Sequence, residues 1–132
     1  MASTRLPGKP LKLIHGKTML EHTYLRAKMF RRWDKLVVAT CDKEIFNFCK
    51  IKNFNCVMTS SKHKGCLDRV AEACLKINKK ISKKNIVVCI QGDEPMLNPN
   101  MIDAVVNKVK KNSKVKASVL AMNIIDKKQY LS

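Results

Sequence analysis

The run Ile86-Val87-Val88-Cys89-Ile90 limits what this chain can become more than any other segment. Five consecutive apolar residues, mostly β-branched, offer no polar face, so a strand built from them must be covered on both sides. That is the habit of a parallel sheet held between helices. Lysines upstream and Gly92 and Pro95 downstream bound the run as one element. The rest of the chain alternates in the same sense. Thr18-Met19-Leu20-Glu21 has capping-box spacing, and Leu20, Tyr24, Ala27 and Phe30 repeat at helical intervals toward Trp33. A strand over Leu36–Thr40, a helix from about Asp42 to Lys52, a short strand Cys56–Met58 and a helix around Leu67, Val70, Ala71 and Cys74 precede the Ile86 strand. Beyond it, Asn98-Pro99 opens a helix carrying Ile102, Val105, Val106 and Val109, because Pro fits the first helical position, where no amide donor is needed. Ala117–Met122 reads as the last strand. This alternation predicts an α/β fold, a Rossmann-like three-layer α/β/α sandwich with a mostly parallel sheet.

In open α/β sheets, ligands bind beyond the carboxyl ends of the strands. Here that place is taken by Gln91-Gly92-Asp93-Glu94-Pro95, two adjacent carboxylates in a chain with 10 acidic residues, 27 basic ones and a formal net charge of +17. Asp93 suits a divalent cation, which takes oxygen ligands and bridges to phosphate. The same five residues also suit a plain turn, with Gly92 giving backbone freedom, Asp93 capping locally and Pro95 starting the next segment. At the other end, Met1 to Pro10 reads as loop throughout. Its hydroxyls at Ser3 and Thr4, with Arg5, Gly8 and Lys9, are the groups a triphosphate cradle uses: Arg binds phosphate bidentately, Lys supplies a point charge, and Gly permits close backbone approach. The segment is not a Walker A sequence. Taken alone it also reads as a flexible basic terminus.

Several function classes drop out on composition. The 132 residues suit a single domain, and 45% hydrophobic content supports a real core. No apolar run approaches the roughly 20 residues of a membrane span, and Met1 to Pro10 lacks a signal-peptide core, so a soluble cytoplasmic protein with no membrane partner is expected. The six cysteines never fall at C-x-x-C spacing, which argues against a zinc site and for reduced core thiols. Basic residues are spread along the chain, with small clusters such as Lys110-Lys111, and aromatic residues at 5% do not interleave with them as base-stacking platforms. Such a charge attracts polyanions in general. Without a helix-turn-helix, zinc-finger or RNP signature, no specific nucleic acid is expected.

Ser3-Thr4-Arg5-Leu6-Pro7-Gly8-Lys9-Pro10-Leu11 and Gln91-Gly92-Asp93-Glu94-Pro95-Met96 closely resemble the two signature segments of the 3-deoxy-manno-octulosonate cytidylyltransferase family, the CMP-Kdo synthetases of lipopolysaccharide synthesis. Between them, Val37-Val38-Ala39-Thr40 is similar to that family's second core strand, and His63 with Asp68-Arg69-Val70-Ala71-Glu72 to its His-x-Ser-Gly-Thr-Asp-Arg segment. The resemblance implies a GT-A-like fold and a CTP-dependent, Mg2+-requiring nucleotidyltransferase. In that family a sugar-acid hydroxyl attacks the α-phosphorus of CTP and pyrophosphate leaves. Carried over by position, Ser3, Arg5 and Lys9 would hold the triphosphate, Arg69 and Gln91 would help seat the cytidine nucleotide, and Asp93 would bind the metal; Arg5, Lys9 and Asp93 would be the catalytic set. Phosphoryl-type transfer relies on positioning and charge neutralisation, so cations and a metal-binding carboxylate suffice without a protein nucleophile. His15 and His22 are read as surface or packing residues, and His63 as a candidate neighbour of the nucleotide.

The departures carry expectations of their own. Gly65-Cys66-Leu67 stands where the family has Ser-Gly-Thr, removing two hydroxyls from the base-contacting loop. The family's first strand and its Ile-Pro-Ala-Arg segment have no counterpart here, and the part that carries a second metal-binding Asp, most sugar-acid contacts and the dimer-forming region lies beyond Ser132. The expectation is therefore a single nucleotide-binding domain over residues 1–132, a sandwich incomplete at both ends: a fragment, a truncated reading frame or a degenerate copy. Full-length family members are expected to be homodimers. Three other readings stay open: a cytidylyltransferase for 8-amino-Kdo or an acylneuraminate, an inactive fragment, and a noncatalytic basic polyanion-binding module.

Overall fold

The structure, a computed structural model, describes residues 8–121 apart from 79 and 83. Gly8, in the left-handed region at φ 67°, starts a 3-10 turn over Lys9–Leu11. Two short antiparallel strands follow, β1 (Leu13–Ile14) and β2 (Lys17–Thr18), with Leu13 opposite Thr18 and Ile14 opposite Lys17. His15 and Gly16 join them, both at positive φ (48° and 79°), which is the backbone twist a two-residue hairpin prefers. The helix pattern alone did not reveal this hairpin. Its one sequence cue is the pair His15-Gly16, since His enters the left-handed region more readily than most residues.

Helix α1 (Met19–Lys28) begins where its cap predicts: the Glu21 amide donates to Thr18 Oγ1 at 3.1 Å. Only half of the expected capping box forms, because the Glu21 carboxylate instead receives Lys52 Nζ at 3.3 Å. The apolar periodicity outlasts the helix, and Phe30 and Trp33 come back by a turn in which Trp33 Nε1 donates to the Ala27 carbonyl at 2.8 Å. A βαβ unit follows, formed by β3 (Val38–Thr40), α2 (Lys43–Ile51) and β4 (Cys56–Met58), with β3 and β4 parallel and Val38, Ala39 and Thr40 opposite Cys56, Val57 and Met58. Asp42 caps α2 through Oδ1, which accepts the Glu44 amide at 2.8 Å. Asn53, at φ 55°, ends the connection out of it in the left-handed conformation that Asn tolerates. Helix α3 (Cys66–Ile77) has Gly65 at its N-cap with no side-chain capping bond, so the replacement of hydroxyl residues in this loop leaves its first amides uncapped. Helix α4 (Pro99–Lys111) starts as its sequence predicts, with Asn98 Oδ1 accepting the Asn100 amide at 2.9 Å.

Two clusters form the core. Leu20, Ile45 and Cys49 join α1 to α2, with Val38, Phe48, Phe54 and Cys56 packed around them. Ala27, Phe30, Leu97, Ile102 and Val106 join α1 to α4, with Trp33, Leu36, Val88 and Ile90 packed against them. Among the described residues, no helix is long and apolar enough to cross a membrane.

Three strand expectations need correction. Neither Ile86–Ile90 nor residues 117–121 joins a ladder, Met122 lies outside the described residues, and the Leu36–Thr40 strand shortens to Val38–Thr40. Among the described residues, β3 and β4 pair only with each other. Val38 N–H donates to the Asn55 carbonyl and Thr59 N–H to the Thr40 carbonyl, each at 2.8 Å, so these residues face β4 and the intervening Ala39 turns its backbone the other way. A cavity of about 1420 Å³ is lined by both Leu36–Thr40 and Ile86–Asp93. Strands pair at about 4.8 Å, and the two segments form no ladder with each other. Val88 and Ile90 still pack on the α1–α4 cluster, so the run behaves as an extended core segment without its ladder.

Candidate functional site

The cavity is lined from Leu36 to Thr40 and from Ile86 to Asp93, and so takes in the ends of β3 and of the Ile86 segment, the position an α/β sheet gives its ligands. Four of the six expected site residues, Lys9, Arg69, Gln91 and Asp93, line it. Ser3 and Arg5 lie outside the described residues.

Lys9 and Asp93 meet across 84 residues of sequence, with Lys9 Nζ 2.8 Å from Asp93 Oδ2. The 3-10 turn sets the lysine: the Leu11 amide returns to the Gly8 carbonyl at 3.0 Å, and the Met19 amide anchors the turn to α1 through the Lys12 carbonyl at 2.9 Å. The ammonium beside it holds the Asp93 carboxyl below its ordinary range, outweighing the opposing effect of partial burial. Asp93 is therefore ionised at neutral pH.

The turn that carries Asp93 is fastened from below. Thr23, only 4% exposed on α1, places Oγ1 3.1 Å from the Met19 carbonyl and 3.2 Å from the Gly92 carbonyl. The Leu97 amide closes the following turn onto the Glu94 carbonyl at 3.1 Å. Gly92 contributes no unusual backbone here. Its φ is not positive, and a Cβ built on it would meet only Leu20 Cδ1, at an ordinary 3.7 Å. The backbone freedom expected of this glycine is thus not what the turn requires.

Arg69 sits in the first turn of α3 and points its guanidinium back to the loop after β4. Nη1 donates to Thr59 Oγ1 at 2.7 Å and approaches the Ser60 carbonyl at 3.4 Å. Glu72, one turn further, stiffens the same loop by accepting the Ser60 amide at 2.9 Å, Lys76 Nζ at 2.8 Å and His63 Nε2. Lys76 first, then the Ser60 amide and His63, pull the Glu72 carboxyl down to about 2. His63 is spent on this brace and does not line the cavity. His22 is structural as expected, its Nε2 lying 2.7 Å from the Ile14 carbonyl of the hairpin.

Thr23 and Thr59 were not singled out by the sequence, and Glu72 entered only as the last residue of the Asp68–Glu72 resemblance. Of the two threonines, Thr23 alone left a trace, as a polar residue three positions after Leu20 on the buried stripe of α1. Cys89 is a poor nucleophile: burial, and then the neighbouring Cys66 sulfur, push its thiol up to about 11. Among the described residues, no group of three His, Cys, Asp or Glu side chains forms a metal cage. A lone carboxylate is nevertheless the donor set that Mg2+ uses when phosphate oxygens and waters complete its shell. Asp93, 40% exposed at the cavity, fits that role.

A family model described as cytidylyltransferase matches residues 1–132. The chain belongs to the cytidylyltransferase family. Among its relatives, the 3-deoxy-manno-octulosonate cytidylyltransferase of Fusobacterium nucleatum is 38% identical over 130 residues, covering 97% of this chain and 50% of that protein. The mitochondrial 3-deoxy-manno-octulosonate cytidylyltransferase of Arabidopsis thaliana is 42% identical over 105 residues, 80% of this chain and 35% of that protein. The solved structure of CMP:2-keto-3-deoxy-manno-octonic acid synthetase complexed with CTP superposes with a TM-score of 0.73 at 30% identity, over 86% of this chain and 45% of the other. The α/β fold read from the sequence is the fold of this family member. The chain spans about half the length, or less, of the relatives it matches.

Proposed function

We propose that this chain is the nucleotide-binding part of a cytoplasmic cytidylyltransferase that transfers CMP from CTP to 3-deoxy-manno-octulosonate, giving CMP-Kdo and pyrophosphate. One observation carries the reading: Lys9, Arg69, Gln91 and Asp93, four residues scattered over the sequence, line one cavity in a chain matched from end to end by the cytidylyltransferase family. In the reaction a hydroxyl of the sugar acid forms a bond to the α-phosphorus of CTP. The bond from that phosphorus to the bridging oxygen breaks, pyrophosphate leaves with the electron pair, and the hydroxyl proton is released. Negative charge builds on the transferring and departing oxygens, so preorganised cations lower the barrier. Lys9 is the described residue placed to supply that charge, with Ser3 and Arg5 proposed beside it. Arg69 and Gln91 seat the cytidine nucleotide from the wall formed by α3 and the Ile86 segment. Asp93 is the proposed Mg2+ ligand; a bound Mg2+ would neutralise and align the phosphate oxygens.

The test is calorimetric titration of the chain with CTP, UTP, ATP and GTP, with and without Mg2+, followed by pyrophosphate release with CTP and Kdo in a chain extended to the length of its relatives. The reading expects CTP to bind more tightly than the other three and Mg2+ to strengthen it. Equal binding of all four nucleotides, insensitive to Mg2+, would mark a general polyanion binder instead.

A further inference from the structure

We propose that Lys9 is an exchangeable counter-ion: without nucleotide it occupies Asp93, the carboxylate proposed for the metal, and it passes to phosphate when metal and nucleotide enter. This rests on the reading of Asp93 given above and adds an order of events to it. Lys9 Nζ lies 2.8 Å from Asp93 Oδ2. A divalent cation of the Mg2+ type binds carboxylate oxygen at about 2.0–2.1 Å, so on either oxygen of Asp93 it would stand within a few ångströms of the ammonium and repel it. That repulsion favours departure of the ammonium. The 3-10 turn fixes the lysine backbone through Gly8, Lys12 and Met19, whereas its side chain is 33% exposed and has four rotatable bonds, so the exchange needs no loop movement.

The arrangement answers an electrostatic difficulty. A bare carboxylate at the mouth of a phosphate site repels the ligand the site must attract. Asp93 paired with Lys9 is locally neutral, and it becomes available only when phosphate offers the ammonium a better anion. The pair is also exposed enough to part readily. An ion pair at this exposure changes an equilibrium by up to about fivefold, which incoming triphosphate and a dication can supply. Metal and nucleotide should therefore bind with positive coupling, and free metal should bind poorly.

The experiment is a Mn2+ titration of the nucleotide-free 132-residue chain, read by paramagnetic broadening of the Gly92, Asp93 and Glu94 amide signals in NMR. Lys9→Met should bind Mn2+ about three- to fivefold more tightly than the native chain. Lys12→Met, which removes a lysine at the end of the same turn, should leave the affinity unchanged. Unperturbed amide signals distant from the site report that each variant is folded. If Lys9→Met fails to tighten Mn2+ while Asp93→Asn abolishes the broadening, the exchange is wrong and the metal assignment stands. If Asp93→Asn leaves the broadening intact, both fall.

Discussion

Thr23→Val separates a positioning contact from a packing one. Valine keeps the shape of threonine, so the substitution removes the hydroxyl and little else. Its single proton is shared between two acceptors, the Met19 carbonyl at 3.1 Å and the Gly92 carbonyl at 3.2 Å. Met19 loses little, because its carbonyl is placed to accept a helical bond within α1. Gly92 is exposed, so water can replace the lost donor there, and the cost belongs at the low end of the range for a hydrogen bond, about 0.5–1 kcal/mol. With an unfolding entropy near 2.1 cal/mol/K per residue, that lowers Tm by about 2–4 °C. Thr23→Ser keeps the donor and should retain the Gly92 contact. The functional consequence should exceed the stability one, since the turn that loses its tether carries Asp93. Mg2+-dependent CTP affinity should fall in Thr23→Val and not in Thr23→Ser. Calorimetry and thermal unfolding on both variants decide it, and equal behaviour of the two in both assays would refute a positioning role for this hydroxyl.

Gly92→Ala should change stability by less than about 0.5 kcal/mol, because its φ is not positive and the new methyl meets Leu20 at an ordinary distance; a loss confined to CTP binding would show that ligand approaches this backbone closely. Ile102→Ala, at a site 2% exposed between α4 and α1, should cost about 2–5 kcal/mol by urea unfolding. Glu72 titrates at about 2 in the fold against an ordinary 4.5, so its stabilising contribution is fully present above about pH 4.5 and is lost as pH falls toward 2. The Tm difference between the native chain and Glu72→Gln should accordingly shrink as pH falls across that window. Asp93→Asn should leave Tm nearly unchanged while removing the effect of Mg2+ on CTP binding, because the change preserves shape and removes charge.

What the sequence made legible was local. Thr18, Asp42 and Asn98 each announce a helix by a cap satisfied within three residues, and β3, α2 and β4 follow from short-range periodicity. The ladder expected at Ile86–Ile90 was not local, since a strand exists only with a neighbour at pairing distance. A pattern of β-branched residues reports burial, and the run does pack on the core; it cannot report who stands beside it. The same division runs through the site. Asp93 and Lys9 were legible because their chemistry is unusual where they stand, one a scarce acid after an apolar run and the other in a loop with glycine. Thr23 and Thr59 are ordinary residues made important by contacts to Gly92 and Arg69 that only folding creates.

In a chain with 27 basic and 10 acidic residues, a lysine says little and a carboxylate says much. Several of the acids have structural duties: Glu21 holds Lys52, Asp42 caps α2, Glu72 braces the loop behind Arg69, and Asp103 pairs with Arg32. Asp93 differs in lining the cavity with the partly exposed Lys9 ammonium for its side-chain partner among the described residues. A surface evolved simply to hold polyanions gains nothing from a negative charge at its mouth, because the carboxylate repels phosphate over the same few ångströms in which the lysines attract it. Its presence becomes favourable only if a second cation accompanies the ligand. A carboxylate paired with lysine in this cleft is thus stronger support for metal-assisted nucleotide chemistry than the excess of lysines is for nonspecific binding. Salt sensitivity offers an independent check, since diffuse lysine binding weakens steeply with ionic strength, whereas a metal-bridged carboxylate and phosphate are far less screened.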